Sequence, residues 1–249
     1  MNKNNSLNDK LYTKFSDDCG FVPDNGKQQT LAEVFTPKLV VDLMLQNCNL
    51  EKNNNFEASI FEPGCGTGNF TIEILAIKLK KVCLHINKIE NIKTKLKEYQ
   101  INSLLALASI TFVDIDSKNI LYVRDRLKNF MINKFNQYIK ANKSKVKIPE
   151  NYLVAINSIL DVNGVCADLL NKKAKSELLI VRYARSGDWI GRYVYQLDDI
   201  INLNTSSILN LFAEEDLNVP KYEDEIKFNK WIKQIGGKDI CKQNSKLKK

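Results

Sequence analysis

In 249 residues the chain carries one histidine, five prolines, two tryptophans and five arginines, and each shortage removes a class of protein. His85 is the sole imidazole, and the six cysteines at 19, 48, 65, 83, 166 and 241 form no Cys-x-x-Cys pair. A zinc site and a disulfide framework are therefore both unexpected, and no metal is expected. No apolar run reaches the roughly 18 residues that a membrane span needs, and Met1 to Lys10 has no signal-peptide core. The expectation is a soluble, cytoplasmic protein without a membrane partner. Because arginine is scarce, the net charge of +8 is almost entirely lysine. Such a charge suits a polyanionic partner and suits solvated lysine faces equally well.

What is present begins with Ser59 to Phe70, Ser-Ile-Phe-Glu-Pro-Gly-Cys-Gly-Thr-Gly-Asn-Phe. A short apolar run, Ala58 to Phe61, reads as a buried strand, and Phe70 to Leu79 carries helical spacing. Between them Gly64, Gly66 and Gly68 allow a tight bend and close approach of a ligand, since no Cβ intervenes. Strand, glycine turn and helix N-terminus together form a nucleotide-sized cradle. Glu62, at the strand end, would repel a phosphate and favours a cationic ligand. Cys65, with no histidine base near it in sequence, reads as a small filler rather than a nucleophile.

Upstream, Met1 to Thr30 is polar and reads as a flexible arm. Thr36 and Pro37 then read as the start of a helix whose Val40, Leu43 and Met44 form an apolar stripe against the first strand. Downstream, Val82 to Ala108 reads as one long helix, with Ile86, Ile89, Ile92 and Leu96 on its apolar face. Ile110 to Asp116 reads as a second buried strand, ending in two carboxylates. An acid at such a strand tip can accept hydrogen bonds from ribose hydroxyls, and Asp116 also suits the N-cap of the helix begun by Asn119 to Phe130. Tyr138 to Pro149 is a lysine-rich link, followed by a helix over Glu150 to Leu160. Asn163 to Leu170 reads as a third strand with Asp168 near its end, and Leu178 to Val181 as a fourth.

The Ser59 to Phe70 stretch, a carboxylate followed by Gly-x-Gly-x-Gly, resembles motif I of the S-adenosylmethionine-dependent methyltransferases. Glu33 to Val40, Glu-Val-Phe-Thr-Pro-Lys-Leu-Val, resembles the Phe/Tyr-Thr-Pro opening of the DNA adenine methyltransferases, which also sits just before motif I. The resemblance covers about 33–201 and implies a Rossmann-like α/β domain with a mostly parallel sheet flanked by helices; the domain is expected over 31–215, and the residues at 216–249 read as a helical, basic appendage. Helices over Thr205 to Ala213 and around Trp231 belong to that expectation. It implies S-adenosylmethionine as cofactor, held by Phe35, Thr36, Glu62, Pro63, Gly64, Gly66, Gly68 and Asn69 at its amino acid end. Asp114 would meet the ribose, Ile115 is a further cofactor-binding position, and Asp168, in a segment similar to motif III, would meet the adenine amino group. DNA is the implied substrate, in a restriction-modification or phage setting with a restriction or specificity subunit as a further partner.

The resemblance stops at the catalytic motif. Where the family has Asn/Asp/Ser-Pro-Pro-aromatic, this chain reads Arg182-Tyr183-Ala184-Arg185-Ser186-Gly187-Asp188-Trp189. Tyr183, Asp188 and Trp189 are the substitutes on offer, as base-stacking rings and a proton acceptor. Arg182, Arg185 and Arg192, interleaved with aromatics, suit nucleic acid. The segment from Trp189 to Leu197 also reads as an edge strand with alternating faces, and the two readings are compatible. Small phage or restriction-associated adenine methylases lacking the Pro-Pro motif look most similar. A catalytically inactive subunit that needs a partner stands as the alternative function.

Overall fold

The computed structural model describes residues 36, 38–48, 50, 55–171, 178–186, 189–197 and 222–227. Its centre is a three-stranded parallel sheet of β1 (Ile60–Pro63), β2 (Ile110–Asp114) and β3 (Gly164–Cys166), in that spatial order. Ile60 pairs with Ile110 and Phe112 with Gly164. β2 lies in the middle and is buried along its whole length, as its unbroken Ile-Thr-Phe-Val run requires of a strand covered on both faces.

Helices supply the connections, α1 (Lys38–Asn47) before β1 and then α2 (Asn69–Ile86), α3 (Ile92–Ala108), α4 (Ser117–Ala141) and α5 (Glu150–Asn163). The stretch expected as one helix from Val82 is two. Asn91 breaks it, because its side-chain Oδ1 accepts from the backbone N–H groups of Lys93 and Thr94 and starts α3 afresh. From Leu104 to Ala108 every residue of α3 is buried, so this helix runs through the interior between α2 and α5. α4 outlasts the expected helix because its apolar positions continue at the same spacing through Met131, Phe135 and Ile139. Beyond the sheet, α3, α4 and α5 enclose an aromatic cluster. Tyr99 stacks on Tyr138 at 3.9 Å between ring centres, and Phe135 lies 4.9 Å from Tyr152.

Three further expectations are corrected. On α1 the buried residues are Val41 and Leu45, whereas Val40, Leu43 and Met44 are exposed, so the helix packs on α2 through the neighbouring stripe. β4 (Leu179–Ser186) does not extend the parallel sheet. It pairs antiparallel with β5 (Trp189–Gln196), from Ser186 opposite Trp189 to Leu179 opposite Gln196. Nor is β5 an edge strand, since β6 (Tyr222–Lys227) pairs along its other side, where a helical appendage was expected. Leu178 and Ile180 anchor the hairpin to the parallel sheet by packing with Val113, Val165 and Ala167. The arm at 1–30 and the helices expected over 205–213 and around Trp231 lie outside the described residues.

Two buried polar side chains tie the lower edge of the sheet together. Lys78 of α2 is fully buried and donates to the carbonyls of Phe56 (3.0 Å) and Ala58 (2.5 Å) and to Ser109 Oγ (2.7 Å). Asn163 Nδ2 donates to the carbonyls of Ala108 and Ile110, both at 2.8 Å, fixing the start of β3 against that of β2.

Candidate functional site

The carboxyl ends of the three parallel strands form one edge, where open α/β sheets bind ligands. Along it lie Glu62 on β1, Asp114 at the tip of β2 and Asp168 two residues past β3. The glycine turn leaves β1 over this edge. Gly64, Gly66 and Gly68 all have positive φ, at 76°, 52° and 79°, a conformation strained for residues with a Cβ. They differ in surroundings. A Cβ on Gly64 or Gly66 would meet nothing within 4 Å, whereas one on Gly68 would come within 2.9 Å of Val123 on α4.

The turn is held from three sides. The N–H groups of Gly64 and Cys65 donate to the Val113 carbonyl at 2.8 and 2.9 Å, and Gly66 N–H donates to Asp114 Oδ2 at 2.8 Å. Arg126, reaching from α4, donates to the Thr67 carbonyl (2.9 Å) and to Asn69 Oδ1 (2.8 Å). Asn69 in turn donates through Nδ2 to the Thr36 carbonyl at 3.1 Å, and Lys38 pairs with Glu73. The two segments that carry the family resemblance, far apart in sequence, thus meet at the start of α2. Phe35 and Pro37 lie outside the described residues.

The other predicted cofactor residues each have a definite place. Glu62 is largely buried and accepts from Thr71 Oγ1. Burial raises its pKa to about 7, the Thr71 bond opposing and the nearby Asp114 charge adding. Asp114 is 8% exposed. Besides Gly66, it accepts from Asp116 N–H at 2.8 Å and Asn119 Nδ2 at 3.4 Å, both at Oδ1. Oδ2 has one protein donor and retains capacity for another. Asp116 caps α4, accepting from Lys118 N–H, as its place before that helix led us to expect. Ile115, between them, is 59% exposed and stands unburied at the edge. Pro63 is exposed beside the turn. Asp168 is half-buried and accepts from Leu170 N–H at 2.9 Å, an Asx-type turn closing the segment after β3. Cys65 is buried, and desolvation first, then Glu62 and Asp114, push its thiol far above the ordinary range. It is no nucleophile in this setting.

Of the candidates on the hairpin, two have described side chains, Arg182 and Tyr183. Tyr183 is 7% exposed and belongs to the main hydrophobic core, so its ring is not presented for base stacking. Arg182 is exposed. Arg185, Trp189 and Arg192 are strand positions of β4 and β5, and the register sets Asp224 opposite Arg192, within an acidic run of β6, Glu223-Asp224-Glu225. Asp188 lies outside the described residues. Sequence reasoning missed Arg126, whose only signal was being one of five arginines, and Thr71, one turn into the motif I helix.

Among the described residues no group of three His, Cys, Asp or Glu side chains could hold a metal, and no helix is long and apolar enough to cross a membrane. Comparisons of the chain with protein-family models, with curated proteins and with solved structures found no match. What the geometry defines is an α/β protein with a glycine turn and three carboxylates at the carboxyl edge of a parallel sheet.

Proposed function

We propose that this chain is an S-adenosylmethionine-binding protein of the DNA adenine methyltransferase type, built on a Rossmann-like half-sheet. The observation that carries the reading is the pairing of open space over Gly64 and Gly66 with the flanking carboxylates of Glu62 and Asp114. The donor set fits the ligand. A sulfonium and an ammonium are cations, a ribose offers hydroxyl donors, and an acidic edge suits both while disfavouring a free phosphate. Glu62 and the turn would hold the amino acid end, with Thr36 tethered beside them through Asn69. Asp114 Oδ2 would accept from ribose, and Ile115 would cover the adenine face. Asp168 would accept from the adenine amino group.

The cofactor supplies an electrophilic methyl group, and alignment accounts for most of the catalysis such transfer needs. Arg126 keeps the turn in register by holding Thr67 and Asn69. A second reading, a cofactor-binding subunit that acquires activity only with a partner such as a restriction or specificity subunit, is favoured by the burial of Tyr183 and by the missing Pro-Pro motif. Transfer of radiolabelled methyl from S-adenosylmethionine to unmethylated duplex DNA, with calorimetric cofactor affinity on the same preparation, separates the two. Labelled DNA supports the enzyme. Binding without transfer supports the subunit, and absence of binding refutes both.

A further inference from the structure

The second concentration of charge lies far from the glycine turn. Between Asp125 and Glu150 the chain has seven basic residues and no acidic one. Arg126 is committed to the turn, and Lys134 sits over the Phe130 ring at 5.1 Å. The remainder concentrates where α4 ends and the chain turns back into α5. Lys140, Lys143, Lys145 and Lys147 are all exposed there, and among the described residues none forms an ion pair. Since α4 has 25 residues and its first turn stands beside Asp114, this tip projects about 37 Å along the helix axis from the carboxyl edge.

Ordinary helix chemistry explains only part of the cluster. A cation in the last turn is favoured by the helix dipole, which accounts for Lys140, but that effect fades within the turn and leaves Lys143, Lys145 and Lys147 unexplained. Backbone geometry sharpens the point. α4 closes in a Schellman motif, with Ser144 N–H donating to the Ile139 carbonyl (3.1 Å) and Lys143 N–H to the Lys140 carbonyl (3.0 Å). The residue required to be left-handed in that motif, normally glycine, is Lys143, at φ 51°, and it is the one non-glycine residue with positive φ among the described residues. A lysine occupies the position where its own Cβ is least welcome. Strain kept at an exposed, charged position points to a use for the side chain.

We propose that the α4–α5 tip is a duplex nucleic-acid contact surface, in which Lys140, Lys143, Lys145 and Lys147 engage backbone phosphates without reading sequence. The neighbours fit that partner. Asn136 and Gln137 are exposed and Ser144 is half-buried, the amide and hydroxyl types that bond phosphate and sugar. Of the large apolar side chains, Val146 alone is exposed over 140–147, too little to dock on a lipid surface. The inference rests on the nucleic-acid part of the proposed function and not on its cofactor part.

The test uses the full chain and fluorescence anisotropy with a labelled 24-base-pair duplex of arbitrary sequence, titrated from 50 to 300 mM KCl. Replacing the four lysines together by Gln should lower the slope of log affinity against log salt by about three to four, and weaken binding at 100 mM at least tenfold. Lys143→Gly alone should lower the slope by about one while the melting temperature holds or rises by up to about 3 °C. A merely structural lysine would move stability and binding in the same direction. Unchanged slope and affinity in the fourfold variant, or no duplex binding by the wild type, would overturn the proposal. So would loss in that variant of binding to phosphatidylserine vesicles with duplex binding intact. Calorimetric S-adenosylmethionine affinity on the same proteins keeps the two readings apart. Lysine-dependent duplex binding without cofactor binding would refute the cofactor assignment alone, and cofactor binding with lysine-independent duplex binding would refute this one alone.

Discussion

Adding one methyl group at each turn glycine separates the ligand-facing part of the turn from the part that packs. At Gly68 the new Cβ would stand 2.9 and 3.0 Å from the two Cγ atoms of Val123, in the second turn of α4. A β-branched residue in a helix has little rotamer freedom with which to move away. The left-handed backbone costs about 1–2 kcal/mol for any L side chain, and overpacking adds about 1–3 kcal/mol. Gly68→Ala should therefore lose roughly 2–5 kcal/mol, a fall in melting temperature of about 4–20 °C in a chain of this size. At Gly66 the backbone term stands alone, since the Cβ would enter open space, and Gly66→Ala should lose only about 1–2 kcal/mol. That space is where the ligand is proposed to lie. The Gly66 variant, still folded, should bind S-adenosylmethionine at least tenfold more weakly in calorimetry. If Gly66→Ala melts near the wild type and keeps full cofactor affinity, the space over the turn is not the binding site and the functional reading fails.

Three more substitutions test the electrostatics and packing at the turn and across the parallel sheet. Glu62 has a folded pKa of about 7 against an ordinary 4.5, so the folded state binds more protons between those values and stability falls as pH rises from 4.5 to 7. Glu62→Gln should remove up to about 3 kcal/mol of that dependence, melting higher than wild type at pH 8 and close to it at pH 5. A cationic ligand favours ionised Glu62, so wild-type affinity for S-adenosylmethionine should climb from pH 6 to pH 8, a climb that is absent in the variant; a flat wild-type profile would remove Glu62 from the site. Lys78, lowered to about 7 chiefly by burial, gives the opposite sign, because the unfolded chain holds the proton up to about 10.5 and stability should rise between pH 7 and 10. Lys78→Met should flatten that rise and lose about 2–3 kcal/mol at pH 7, since the carbonyls of Phe56 and Ala58 stay buried without their donor; unchanged denaturant unfolding would refute the bonding assigned to it. Gly164→Ala should cost about 2–3 kcal/mol, because its Cβ would lie 2.6 Å from the buried Phe112 ring, and chemical denaturation with no loss would show that β3 has room to shift.

Local chemistry along the chain was enough to locate the strand, the glycine turn and the helix around Gly66, and to point to Asp116 as the cap of α4. Those readings depend on neighbours within a few residues, which composition and spacing report directly. The antiparallel pairing of β4 with β5 was not read from the sequence, because the family resemblance drew attention to a catalytic loop at the same place. Which stripe of α1 faces inward was not legible, because Leu39 to Leu45 offers apolar residues on more than one face and only docking on α2 selects Val41 and Leu45.

By itself, then, the sequence determined short apolar strands, a glycine turn after the first of them and carboxylates near the strand ends, since backbone sterics and hydrophobic periodicity act over short distances. Tertiary structure alone decided the rest. It brought Arg126 back across 57 residues to Asn69, buried Lys78 among carbonyls, and hid Tyr183 in the core. It also set four lysines at the far tip of α4, remote from the glycine turn. Each of these depends on which helix packs against which, and long-range packing is a property of the whole chain that no local pattern encodes.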